Sequence, residues 1–77
     1  MKTLIMIRNN DETGVSGTGK VLEAVLFGNG MLVTHWFGKF ESINVYKSYE
    51  DFLEIHVKSH PQNGTTIVWN DGAMEEY

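Results

Sequence analysis

Apolar residues recur in short alternating runs along this chain, and the runs predict strands. The stretch Gly19 to Phe37, GKVLEAVLFGNGMLVTHWF, holds two of them on either side of Gly28-Asn29-Gly30. Asn-Gly accepts the positive φ angles of a tight type I′ turn, so the stretch reads as a β-hairpin. With a two-residue turn, Val21, Glu23, Val25 and Phe27 share one face with Leu32, Thr34 and Trp36. Leu22, Ala24 and Leu26 then share the other with Met31, Val33, His35 and Phe37. A three-residue loop shifts the register by one and exchanges the faces of the second strand. In either register both faces are rich in apolar side chains, which predicts a hairpin inside a sheet or barrel, covered front and back by the rest of the chain.

The same alternation marks Lys2 to Arg8 as a first strand, with Leu4 and Met6 on one side and Thr3, Ile5 and Ile7 on the other. Asn9 to Gly19 has no apolar period and three glycines, and reads as a long loop of the kind that often carries function in a compact domain. Gly38 to Ser42 reads as a turn and Ile43 to Lys47 as a fourth strand. Beyond it the period lengthens. Ser48 followed three residues later by Asp51 is a capping pattern, and a helix over 49–58 puts Tyr49, Phe52, Leu53, Ile55 and Val57 on one side, with His56 near the middle of that side. His60-Pro61 ends the helix, because a residue before proline avoids the α region. Thr65 to Trp69 is a last strand, and Asn70-Asp71-Gly72 opens an acidic tail over 73–77 that is expected to fray, leaving a single domain over 1–72.

These elements give a mainly β fold class. The order of strand, long loop, three-strand meander, helix and final strand predicts a small five-stranded SH3-like barrel or strongly curved antiparallel sheet, with one short helix (49–58) before the last strand. An open antiparallel sheet with the helix packed across one face is the alternative.

Composition narrows the function classes. The 77-residue chain has no cysteine, which excludes a disulfide framework and thiolate metal sites and suits a reducing cytoplasm, the expected location. Its formal net charge of −4 is the wrong sign for a protein that grips phosphate backbones through its overall field, so nucleic acid is a disfavoured partner. No run approaches the length of a membrane span, and the first residues lack the pattern of a signal peptide.

Few residues suggest chemistry. Gly14-Val15-Ser16-Gly17-Thr18-Gly19-Lys20 matches the first seven positions of the phosphate-binding P-loop but fails at Val21, where Ser or Thr should hold magnesium, and a strand follows where a helix is required. A weaker reading remains: Asp11, Ser16, Gly17, Thr18, Gly19 and Lys20 form a ligand- or partner-binding loop whose backbone N–H groups cradle an anion. A plain glycine-rich connection is the competing reading. Glu23, alternating with Val21, Val25 and Phe27, and His56, aimed at the core, form a candidate buried polar pair if the hairpin face meets the helix. No nucleophile completes a catalytic unit around them, so a structural role is the simpler account. His56 and His60 stand four apart, as helical metal ligands do, but Pro61 interrupts the helix and no third ligand is evident, so no metal site is expected. Trp36, Phe37, Phe40, Tyr46 and Trp69 could stack bases on an exposed face, yet they lack interleaved basic residues and read as core.

The string Asp11-Glu12-Thr13-Gly14-Val15-Ser16-Gly17-Thr18-Gly19, with Glu23, Val25, Phe27, Gly30, Trp36, Tyr46, Ser48, Glu50-Asp51, Ile55-His56 and Ile67-Val68-Trp69, resembles a scattered group of short phage and bacterial proteins. The resemblance implies context alone: a stand-alone accessory protein carried by a phage or prophage, with no activity, cofactor or site residues attached. The expectation is therefore a non-enzymatic, cofactor-free binding protein, a phage-encoded modulator or inhibitor of a host protein. The alternatives are a sensor or sponge holding a phosphorylated small molecule in loop 9–20, and an SH3-like nucleic-acid module. A host protein is the expected partner, and so small a core would also benefit from a homodimer.

Overall fold

The computed structural model of the chain describes residues 1–10 and 18–77. Six strands form one antiparallel sheet: β1 (Lys2–Arg8), β2 (Gly19–Leu26), β3 (Leu32–Trp36), β4 (Ser42–Tyr46), β5 (Thr65–Trp69) and β6 (Met74–Glu76). Their spatial order is β4-β3-β2-β1-β5-β6, with β4 and β6 on the two edges. The sheet is open, so the five-stranded SH3-like barrel is replaced by the alternative architecture, a sheet with a helix across one face.

That helix starts at Ser48, whose hydroxyl accepts from the Asp51 N–H at 3.1 Å. It runs as α1 (Tyr49–Leu53) and continues without a break as a π-helical segment (Glu54–Lys58). The wider π turns rotate the later residues away from a regular helical wheel. Val57 is buried, but Ile55, expected on the apolar side, is 52% exposed. A 3₁₀ turn (Pro61–Asn63) follows and ends at Gly64, whose φ of +59° suits glycine. This turn is tied to the end of β1, since the Asn9 and Asn10 N–H groups both donate to the Asn63 carbonyl at 3.0 Å.

The hairpin differs from the two-residue reading. The Phe27 N–H donates to the Met31 carbonyl at 2.9 Å, enclosing a three-residue loop, Gly28 to Gly30. Gly30 takes φ +94° and Asn29 stays at negative φ, which suits a three-residue loop and excludes the type I′ turn. The register pairs Glu23 with His35, Val25 with Val33 and Leu22 with Trp36. The second strand's faces are therefore exchanged, and Thr34 and Trp36 join Leu22 and Ala24. A register shift between Met6 and Ile7, with Met6 opposite Leu22 and Ile7 opposite Lys20, is a β-bulge that turns Val21 inward beside Leu22.

The core lies between one sheet face and the helix: Leu4, Met6, Val21, Leu22, Ala24, Leu32, Trp36, Phe52, Leu53, Val57, Ile67 and Trp69. The chain past Gly72 does not fray. Met74–Glu76 pairs with β5, placing Met74 opposite Val68, so residues 73–77 contain a sixth strand where a tail was expected.

Candidate functional site

Strand alternation places the remaining apolar residues on the opposite face of the sheet. Register aligns Ile43, His35, Glu23, Ile5, Val68 and Met74 across all six strands, and Val45, Val33, Val25 and Thr3 in the next row. Ile7 and Thr66 continue a third row. Among the described residues no helix or second sheet lies over this face. Ile43 is 64% and Val45 60% exposed; Ile5, Ile7, Val25, Val33 and Val68 are partly exposed. A shallow depression of about 380 Å³ opens between Ile5, Glu23, Val25, Val33 and Ile43. Near its centre His35 carries a polar cluster: its Nε2 lies 2.7 Å from Glu41 Oε1 and its Nδ1 3.8 Å from Glu23 Oε2.

The face is thus apolar around a small polar centre formed by Glu23, His35 and Glu41. The candidate pair of Glu23 and His56 is not formed. The side chain of Glu23 is on the open face and 54% exposed, whereas His56 belongs to the helix on the other side of the sheet.

A second concavity of about 420 Å³ lies at the end of the core layer, lined among others by Arg8, Trp36, Lys39, Phe40, His56 and His60. Arg8 enters it because it shares the parity of Leu4 and Met6 on β1. Its guanidinium carbon sits 5.3 Å from the Trp36 ring centre, and its Nη2 donates to the His56 carbonyl at 3.2 Å. His56 Nε2 is 2.7 Å from the Tyr46 hydroxyl, and the Trp36 ring meets the imidazole edge-on at 4.9 Å. Burial lowers the His56 pKa below its ordinary value, and the positive charges of Arg8 and His60 push the same way. The half-buried imidazole, its Nε2 paired with the Tyr46 hydroxyl, is thus held in its neutral form near pH 7. Phe40 projects from the rim, 83% exposed, with Lys39 Nζ 5.5 Å from its ring centre.

The predicted binding loop is only partly placed. Asp11, Ser16 and Gly17 lie outside the described residues. Thr18 is an exposed bend, Gly19 begins β2 opposite Arg8 with φ +79°, and Lys20 reaches over the Phe37 ring at 5.4 Å. Of the aromatic set, Trp36 and Trp69 are buried, and Tyr46 packs edge-on against Phe52 at 5.4 Å. Among the described residues no three His, Asp or Glu side chains converge as metal ligands, and no helix is long and apolar enough to cross a membrane.

The open face went unrecognised in the sequence, although a signal was present. β1 to β4 carry apolar residues on both faces, and a single helical segment of ten residues can cover only one of them.

Fold and site together define a class: a small single-layer β-sheet protein, backed by one helix, that presents a bare apolar sheet face. The chain belongs to the Acb5 phage protein family, whose profile matches residues 1–71. No curated protein and no solved structure matches it.

Proposed function

We propose that this phage protein is a non-enzymatic binder that docks on a host protein through the open face of its sheet and thereby modulates or inhibits that protein. The observation that carries the reading is the in-register apolar array of Ile5, Val25, Val33, Ile43, Val45 and Val68 around the His35 cluster, with no layer of the described chain above it. Exposed aliphatic side chains in a contiguous array are unfavourable in water and become favourable when a partner covers them, at roughly 25 cal/mol per Å² buried. The net charge of −4 favours a partner whose rim is basic, through steering and complementarity. Membership of a phage protein family supports a host target.

The test is affinity capture from host lysate, followed by reconstitution of the captured protein with purified chain. Ile5→Lys places a cation opposite Glu23 in the middle of the apolar array. It is expected to weaken the reconstituted complex at least about tenfold, as loss of a central contact does, while leaving the melting temperature nearly unchanged. Undiminished binding by Ile5→Lys and Val25→Lys contradicts the reading.

The second concavity favours one further reading, in which a phosphorylated small molecule with a planar ring binds beside Arg8, Lys39 and Phe40. Stabilisation by a nucleotide panel, lost in Lys39→Ala and Phe40→Ala, supports it, and no ligand response across the panel contradicts it.

A further inference from the structure

We infer that two copies of this chain pair edge to edge through β4, in one register, to make a symmetric dimer with a continuous twelve-stranded sheet. The two edges of the sheet are unlike. β6 is three residues long and carries Glu75 and Glu76, features that discourage pairing by another strand. β4 is five residues, Ser-Ile-Asn-Val-Tyr, with no charge, proline or bulge, and its Ile43 and Val45 are mostly exposed.

The backbone of β4 is poised for a partner. The Phe27–Met31 hydrogen bond sets the alternation of the hairpin, so on β3 it is Thr34 whose backbone faces β4. Asn44 lies opposite Thr34, and its carbonyl is 3.4 Å from the Thr34 hydroxyl, so the Asn44 backbone faces β3. The N–H and C=O groups of Ile43 and Val45 therefore point outward, away from the sheet.

Charge selects the register. In an antiparallel two-fold pairing centred on Asn44, Ile43 of one copy meets Val45 of the other as a mutually hydrogen-bonded pair, and Glu41 meets Lys47 at both ends. The apolar pairs fall on the open face, next to Val33 and His35. Shifting the centre to Ile43 sets Lys39 against Lys47, and shifting it to Val45 sets Ile43 against Lys47. Only the Asn44-centred arrangement joins opposite charges at both ends and apolar residues between them, which cross-strand pairing favours. The contact is the same patch on both copies, so the assembly closes at two. Its axis stands perpendicular to the sheet, so both open faces look the same way and stay uncovered; dimerisation does not depend on host binding.

Sedimentation equilibrium of the purified chain alone tests this. The wild type is expected to rise with concentration from 8.7 kDa to twice that mass. Lys47→Glu, which turns both end pairs repulsive, should raise the dissociation constant about tenfold, and the swap Glu41→Lys with Lys47→Glu should restore it. Val45→Pro, which removes an outward N–H, should leave a folded monomer, its fold checked by circular dichroism. A wild type that stays monomeric up to about 1 mM, or a dimer indifferent to both Lys47→Glu and Val45→Pro, overturns the inference. A dimer broken by Val45→Pro alone, or not restored by the charge swap, overturns the register.

Discussion

Two residues show how single side chains hold this fold. Glu75 accepts from the Tyr49 hydroxyl at 2.6 Å, the Tyr77 hydroxyl at 2.9 Å and the Trp69 indole at 3.0 Å, fastening β6 to the helix and to β5. Partial burial by itself raises the Glu75 pKa, but the donated hydrogen bonds from Tyr49, Tyr77 and Trp69 outweigh it and hold the carboxyl below its usual range. A depressed folded-state pKa means that the stabilisation is complete above the unfolded value of about 4.5 and is lost as pH falls through the folded value. Glu75→Ala should lower stability by about 2 kcal/mol near neutral pH, measured by denaturant unfolding, and should flatten the acid limb of the profile. His56 works with the other sign. Its folded pKa lies below the ordinary 6.5, so the unfolded chain binds more protons in the window between the two values and stability falls as pH drops below 6.5. Replacing His56 by Ala should cost about 1 to 3 kcal/mol, through the lost Tyr46 partner, and remove that part of the pH dependence. An unchanged melting temperature would contradict the burial of its ring.

At the scale of elements, strand positions followed from alternation, which is strict in β3 and β5 and holds through most of β1. β1 and β5 have the expected limits, and β4 starts one residue earlier than expected. The helix was legible from Ser48 and Asp51, and Ser48→Ala should lower stability by about 1 kcal/mol through loss of the cap, read by thermal unfolding. What alternation could not supply was the hairpin register, since Gly28-Asn29-Gly30 suits a two-residue or a three-residue loop and one residue of slip exchanges a whole face. Nor could it supply the bulge that turns Val21 inward, because a bulge breaks the period on which the reading rests. β6 was hidden for a different reason. Met74-Glu75-Glu76 has no strand signature of its own and is held by the bonds that Glu75 accepts from distant residues. Ending the chain after Gly72 should therefore destabilise the domain, leaving the Tyr49 hydroxyl and Trp69 indole without their acceptor; unfolding at an unchanged denaturant midpoint would contradict this.

For the whole molecule, the expectation that the hairpin is covered front and back, which either register allowed, hid the candidate site. A hairpin thought to be wrapped on both sides suggests a barrel and leaves only loop 9–20 for contact. In the structure one face of the sheet packs on the helix, and the other carries the apolar surface of Ile5, Val25, Val33, Ile43, Val45 and Val68. The side chains with functional potential were thus visible as apolar residues, but the three-dimensional sorting of buried from bare was not. Arg8 went unremarked for a similar reason: only the parity of β1, read together with the position of the helix, carries a charged residue to 5% exposure beside Trp36.

On the function proposed above, the open sheet face, not the cleft beside Arg8, meets the host protein. Methyl cross-saturation in the reconstituted complex tests it most directly, because irradiating the captured protein marks only methyl groups it touches. Docking on the sheet face predicts loss of signal at Ile5, Val25, Val33 and Val68, with Leu22, Leu32 and Val57 unaffected. Saturation absent from the sheet face, with binding instead abolished by Lys39→Ala or Phe40→Ala at the cleft, contradicts it.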